Sequence, residues 1–514
     1  MSTASLDQAS AVDLHGFGYV QQLSRRVGTY ASFAAGFSFV SILTTVFQLF
    51  FIGYGFGGTL FFWTWPVVLV GQLAVALCFA ELAARYPISG AIFQWARRLG
   101  GSVWGWFAGW TMIIAQIITL ATAAIALQVV LPMVSTKFQI IGDGSGTSGA
   151  ENAVLLGCIL LAITTALNAF SIRITAIVNS VGVTCELVGV ALLVILLFSH
   201  AHRGPGVVFH NSVLSGSTGY LTPLLMSALM AAYVMVGFDS AGELAEETHS
   251  PRSVTPKTIV RALIVSGIGG AFLLIAALMA APSLTDGNLS SPTGGLPYVL
   301  TSVLGTTVGK LLLIDVAFAI TVCTLAVQTA GARMIFSMAR DEVLPFSGAL
   351  RKVSPRFHTP LLATVVPGVG AAICLVVNVK NTSLFLGLAS VCIMLLYIAY
   401  LMVTAPMLVS RLRGGKLADG ADEAGKPLFS LGKWGLAINV VAVGYGLLMA
   451  INLGLPRQAV YDPANTGWYV HYLPLLTIVA TFGIGAIAYA VKRGAYHSTV
   501  SVEAHAMLGA LDQA

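Results

Sequence analysis

Twelve stretches of this chain are apolar for long enough to cross a bilayer, which constrains the fold before any single residue is weighed. A window of about 19 residues places them near 31–53, 60–84, 104–132, 153–170, 175–198, 221–242, 258–281, 305–335, 360–379, 384–408, 434–454 and 469–491. Lipid offers no hydrogen bonds, so a spanning segment must satisfy its own backbone, and stretches of this length do so as helices. The expected fold class is an all-α polytopic membrane protein with 12 transmembrane helices, spans 1 to 12 below. Composition agrees: 57% of residues are hydrophobic, 9% are charged, and the mean hydropathy is +0.87, outside the soluble globular range. The first 24 residues are polar, with Asp7 and Asp13 and no apolar core of signal-peptide length, so span 1 is expected to act as its own signal.

Basic residues give the expected orientation. Of 26 Lys and Arg, 21 fall on the even-numbered connections and the two ends, from Arg25 and Arg26 to Lys492 and Arg493. Four (Lys137, Arg203, Lys380, Arg457) fall on the other side, and Lys310 lies at an outer helix end, which completes the count as 21 + 4 + 1. The bias places both termini in the cytoplasm, and plasma membrane is the expected location. The net charge of +6 is this bias, so nucleic acid is not an expected partner. All six cysteines (78, 158, 185, 323, 374, 392) lie inside apolar spans without CxxC spacing and read as packing residues, with neither disulfide nor metal expected. "GTTVGK" (305–310) lacks phosphate-loop spacing, which argues against an ATP-driven pump. The nine histidines lie in loops, tails or at a span's outer edge, so no haem, zinc or other cofactor and no enzyme chemistry is expected.

One stretch concentrates the chemistry, "LMAAYVMVGFDSAGELAEET" (229–248), where an apolar helix meets Gly237 and then Asp239, Ser240, Glu243, Glu246 and Glu247. A carboxylate near bilayer depth costs roughly 2.5–3.5 kcal/mol on insertion scales, so Asp239 implies water, a partner or a ligand. A glycine-interrupted span points to a discontinuous helix whose freed backbone groups hold a substrate. Span 1 is interrupted similarly, by Gly36, Ser38, Ser41, Thr44 and Thr45. Two interrupted spans five helices apart, entered from opposite sides, suit an inverted repeat of five plus five helices.

Four stretches carry a family resemblance: "GYVQQLSRRVGTYASFAAGFSFVSI" (18–42), "AELAARYPISGAIFQWARRLGG" (80–101), "GFDSAGELAEETHSPRSVTPKTI" (237–259) and "ARMIFSMARDEVLP" (332–345). In order and spacing the chain resembles permeases of the amino acid-polyamine-organocation superfamily, nearest the amino acid/choline branch that includes GABA permeases. The resemblance implies the five-plus-five inverted repeat, breaks in spans 1 and 6, and alternating access. It implies a first repeat at 31–200 and a second at 221–408, making a ten-helix core. A cytoplasmic segment at 1–30, a loop at 409–433, spans 11 and 12 at 434–492 and a cytoplasmic tail at 493–514 complete the organisation.

The resemblance also assigns residues. Substrate binding falls to Ser41, Ile42, Leu43, Thr44 and Thr45 of span 1 and to Val236, Gly237 and Phe238 of span 6, the substrate carboxylate on freed N–H groups and its amine on freed carbonyls. Relatives carry glycine in span 1 where this chain has Leu43-Thr44-Thr45, so unwinding there is in question. Tyr233 aligns with a substrate-capping aromatic, against a packing role, and Asp239 with a gate acid, against helix capping. Gln116 of span 3 is a further polar candidate. Two intramembrane acids stand apart: Glu186 in span 5 is a proton carrier, a cation ligand or a packed carboxyl, and Asp315 lies in span 8. Arg340, Asp341 and Glu342 are expected at the inner surface, pairing with each other or with Arg97 and Arg98.

The function expected is secondary transport of neutral or γ-amino acids across the bilayer, proton-coupled or exchanging, with no cofactor other than the proton or another coupling cation. A polyamine, choline or ethanolamine carrier is the alternative, favoured if Glu186 and Asp239 both face the cavity. An amino acid sensor or a channel on the same fold is a third class.

Overall fold

The structure, a computed structural model, describes residues 14, 16–170, 172–210, 221–380, 384–415, 417–462, 465 and 467–511, with side chains described as far as Lys492. Parts of the expected end segments 1–30 and 493–514, of the loop after span 5 and of the loop 409–433 lie outside the described residues, among them Asp7, Asp13 and Lys416. The described chain is almost entirely helical. Span 1 is built from α1 (Thr29–Val40) and α2 (Ile42–Gly57), and span 2 from α3 (Thr64–Arg85). The short α4 (Ala91–Gly100) follows, and then α5 (Ser102–Ile125) with α6 (Leu127–Val134) as span 3, α7 (Gly146–Phe170) as span 4 and α8 (Ile172–Ser199) as span 5.

In the second half, α9 (Leu221–Val234) and the single turn α10 (Ser240–Glu243) make span 6, and α11 (Pro251–Ala280) makes span 7. Span 8 belongs to α12 (Gly295–Arg340), which kinks at Gly305 (φ 76°). The residues before the kink form a separate outer piece, which is why apolarity alone starts this span near 305. Spans 9 to 12 are α13 (Leu361–Val377), α14 (Leu384–Leu412), α15 (Gly435–Gly454) and α16 (Leu473–Leu511). Nine described helices are long and apolar enough to span a bilayer, and Thr29–Arg85 holds spans 1 and 2; with the shorter apolar α9 and α13 this accounts for twelve spans.

Packing follows a two-fold pattern. Span 2 packs on span 7, span 3 on span 8, span 4 on span 9, and the break-flanking pieces α2 and α9 on each other. Span 3 against span 10 is matched by span 8 against span 5. Burial separates core from periphery: 78% of the most apolar window of span 10 is buried, against 17% for span 12. Outward faces carry exposed Ile163, Val188, Leu192, Leu448 and Val479, an apolar belt that suits lipid.

Basic and acidic side chains seal one end of the bundle. α4 lies there as an amphipathic helix, with Ile92, Phe93, Trp95 and Ala96 buried beneath it. It starts at Gly90, which has φ 79° and no room for a Cβ against Ser337. The segment before α1 crosses the same end, where Val27 forms a parallel bridge with Thr248.

Candidate functional site

Span 1 breaks at one residue. Ser41 takes φ 35° and ψ 96°, its N–H still bonded to the Phe37 carbonyl (2.8 Å), and α2 resumes at once with Thr45 N–H on the Ser41 carbonyl (3.0 Å). Positive φ strains a non-glycine residue by of order 1–3 kcal/mol. Local hydroxyls offset this: Ser41 Oγ accepts from Thr44 N–H (3.3 Å), and Thr45 Oγ donates to the Ser41 carbonyl (2.6 Å). The turn therefore forms without glycine, by hydroxyl capping. A further support comes from span 5. Glu186, 1% exposed, accepts the backbone N–H of Leu43 (3.0 Å) and lies 2.9 Å from Ser41 Oγ, which also reaches Thr44 Oγ1 at 2.7 Å. The single hydroxyl proton serves one of these acceptors at a time. A carboxyl is thus seated on the positive end of α2, a place suited to any anion.

Span 6 breaks over residues 235–239. Gly237 takes φ 93°, and a Cβ there would run into the Phe39 ring of α1, so backbone and space both require glycine. Its N–H donates to the Tyr400 hydroxyl of span 10 (2.9 Å), which in turn donates to Asp239 Oδ1. Asp239 precedes α10 without capping it, so the acid is held by the phenol instead. Ser240 Oγ donates to the Ala35 carbonyl (3.3 Å) and ties the start of α10 to the middle of α1. The Tyr400 ring packs on Phe79 and Phe238 at 5.1 and 5.4 Å between centroids.

Between the breaks lies a small cavity of about 10 Å³, no larger than one water. It brings together Thr44, Thr45, Tyr233 and Val236 from the expected set with Phe39, Thr119, Ala123, Cys323, Cys392 and Leu396. No formal charge lines it. Ile42 and Leu43 turn their side chains toward Gly269 and Gly189, leaving only their backbone for a ligand. Gln116 sits one turn from Thr119 beside Gly331, off the cavity wall, with neither amide atom hydrogen-bonded. Asp315 packs on Gly189 of span 5, one turn from Glu186, with Oδ2 unpartnered.

The basic end is shut below this cavity. Arg333 clasps Glu247 (2.6 and 3.2 Å), Arg340 clasps Glu246 (3.0 and 2.9 Å), and Arg97 meets Asp341 (2.6 Å). Glu342 pairs instead with Arg351. Tyr19 adds its hydroxyl to Asp341 (2.9 Å) while the Arg340 guanidinium lies 3.9 Å over its ring. Glu81 joins Arg411 and Arg85. At the other end a vestibule of about 560 Å³ opens, lined by Phe51, Gln128, Gln139, Asp143, Thr293 and Phe385. Six residues of α2, about 9 Å of helix, separate Phe51 from Thr45. In that vestibule the Ser145 N–H and the Ser145 and Ser148 hydroxyls bind Asp143 and hold its carboxyl down at about 2. Ion pairs therefore cross the basic end, the space at the breaks is collapsed and the vestibule opens at the other end. A surface cleft of about 1210 Å³ beside Tyr19, Arg340, Asp341 and His358 lies on the basic side of the ion pairs.

Residues 22–482 match the family model described as amino acid permease. The chain belongs to this family. The permease is 27% identical over 468 residues to the amino-acid permease BAT1 of Arabidopsis thaliana, covering 87% of this chain and 88% of that one. It is 25% identical to amino-acid permease 2 of Neurospora crassa (91% and 85% covered) and 25% identical to a putative polyamine transporter of Candida albicans (88% and 82%). Its fold resembles the crystal structure of MhsT in complex with L-phenylalanine, with a TM-score of 0.57 at 13% identity over 82% of this chain and 98% of that one. At that identity the likeness carries the fold, a five-plus-five inverted repeat with broken spans 1 and 6. The permease is a multi-pass membrane transporter rather than an enzyme.

Sequence reasoning missed Tyr400, Thr119, Cys323 and Cys392. Tyr400 is one of two tyrosines in "YIAYLMV", and nothing local marks it; only its approach to the span 6 break does.

Proposed function

We propose that the permease carries neutral amino acids, γ-amino acids included, by alternating access across the plasma membrane, with both termini in the cytoplasm and a proton as the coupling ion. The ten spans at 31–408 are the transport core, as repeats 31–200 and 221–408, and spans 11 and 12 flank it. One observation carries the reading: Glu186 occupies the Leu43 N–H at the span 1 break, where a substrate carboxylate is expected. Two carboxylates sharing one helix terminus repel. A substrate carboxylate arriving at Ile42, Leu43 and Thr44 displaces Glu186, which withdraws as the neutral acid after taking up a proton. Substrate and proton then bind together, and neither binds well alone.

The substrate amine falls to carbonyls freed at the breaks, with Val236, Gly237 and Phe238 supplying the span 6 side and Tyr233 closing over the ligand. The uncharged wall of Thr44, Thr45, Thr119, Cys323 and Cys392 favours a zwitterion with a neutral side chain. A polyamine or choline would need an anionic wall, whereas Asp239 is held by Tyr400 and Glu186 by span 1. Asp239 is assigned to gating and Asp315 to the proton step through its place beside Glu186.

The experiment is uptake into proteoliposomes from a panel of labelled amino acids and amines under an imposed pH gradient. Accumulation of neutral amino acids above the gradient-free level is the expected result. Accumulation of amines alone overturns the substrate assignment, and neither accumulation nor exchange of any panel member overturns the transport reading.

A further inference from the structure

Glu243 closes α10 at the basic end and plays no part in the site above. It is fully buried, and neither carboxylate oxygen completes a hydrogen bond. The carboxyl lies by the backbone N–H groups of Gly90, Ala91 and Ile92, the first turn of α4. α10 and α4 are in close contact there: a Cβ at Gly242 would stand 3.0 Å from both Ala91 Cβ and the Trp95 ring. Four orphan N–H groups and a positive dipole end await an anion at such a terminus. An uncompensated buried carboxylate is costly anywhere else.

Among the described residues, no cation pairs with this carboxyl. α10 packs on α1, α11 and α12; on these elements and on α4, Arg261 is exposed, Lys310 and Asp315 lie about five turns or more along α12 from Arg333, and the other charged groups have partners of their own. Arg333 holds Glu247, Arg340 holds Glu246, Arg97 holds Asp341, and Arg98 holds Gln94 (2.6 Å). On α11, Lys257 reaches Ser253 (3.4 Å), and the Arg252 backbone meets Glu423 (2.9 Å). Tyr30 of α1 bonds Thr184 (2.7 Å). The facing acid is Asp239, one turn earlier, which repels a second negative charge.

We propose that Glu243 is a second proton-binding site of the permease, a latch that holds the basic-end gate shut while charged and frees it when protonated. The charged carboxylate pins α10 to the start of α4 at the end of the bundle where the ion pairs lie. A proton delivered from Asp239, four residues away on the same face, neutralises the latch and leaves α4 without its anion. The sign is fixed: the interaction belongs to the charged form, so it is present at high pH and lost as pH falls through the Glu243 titration.

The role of this latch in turnover rests on the transport reading, but its test does not. Hydrogen exchange of the α4 amides in the full-length protein in nanodiscs is measured at pH 7.5 and 5.5, corrected for the intrinsic rate. The expected result is about ten-fold less protection of residues 90–100 at the lower pH. Glu243→Gln should show the low protection at both pH values, and Glu243→Asp, which keeps the charge on a shorter arm, should retain the pH step with weaker protection at pH 7.5. Equal protection at both pH values in the parent protein overturns the latch, as does a pH step that survives in Glu243→Gln. If Glu243→Gln does not fold, a Glu243→Asp profile identical to the parent's overturns it as well. Transport without this pH step sinks the latch alone, and a pH step without transport sinks the transport reading alone.

Discussion

The break in span 1 and the break in span 6 face one another across the same cavity, yet they are held open by different chemistry. Span 1 turns at a single serine, supported within the helix by Thr44 and Thr45 and from outside by the Glu186 carboxyl. Span 6 turns over five residues around an obligatory glycine, supported by the Tyr400 phenol. A carboxyl can leave its N–H groups by taking a proton, whereas a phenol at ordinary pH changes nothing. The difference divides the labour: span 1 holds the exchangeable contact where substrate and proton meet, and span 6 is the hinge that passes the result to the gate.

The largest effect that would break this comparison is at Gly237. Gly237→Ala brings a disfavoured φ and a clash with Phe39, each worth about 1–3 kcal/mol, so loss of uptake and a markedly lower Tm are expected in purified protein. A variant with unchanged Tm and uptake would show that the span 6 turn does not need glycine. Next comes Glu186→Gln, which keeps the hydrogen-bonding shape without the titration. Accumulation driven by a pH gradient should fall at least about ten-fold, toward the gradient-free level, while counterflow exchange persists. Accumulation at the parent level would move coupling to span 6.

Tyr400→Phe should cost less, about 1–3 kcal/mol, by leaving the Gly237 N–H and Asp239 without a partner. Slower uptake and a lower Tm are expected, with the pH dependence of accumulation retained; a lost pH dependence would make the phenol part of the proton step. Smallest is Ser41→Gly. It relieves a positive φ and removes a hydroxyl from Glu186, so Tm should move by about 1 kcal/mol equivalent or less, read by a thermal melt beside uptake.

Much of this was legible in the sequence because membrane spans are written locally. Apolar length places the twelve helices, and interruptions such as Ser41-Thr44-Thr45 and Gly237 mark the two breaks. Apolarity also starts span 8 near the kink at Gly305, whereas the helical outer piece before it, from Gly295, is shown only by the backbone. Glu186 stands out as an acid in lipid, but its seat on Leu43 depends on how spans 1 and 5 pack, which no local pattern encodes. Tyr400 and Thr119 are ordinary residues on apolar helices until spans 10 and 3 close on the cavity. Gln116, conspicuous by its polarity, points one turn away from that wall. Glu243 reads as one more charge at a helix end, whereas in the fold it is fully buried.

The central claim is that substrate and Glu186 exchange places on the span 1 N–H groups, with a proton taken up in the exchange. Its most direct test is the proton count on binding: a neutral amino acid found in the uptake panel is added to the purified permease in weak buffer, and the pH change is recorded. The account predicts uptake of about one proton per substrate bound by the parent protein and none by Glu186→Gln, which still binds. Binding without proton uptake in the parent, or the same uptake in both proteins, would contradict it.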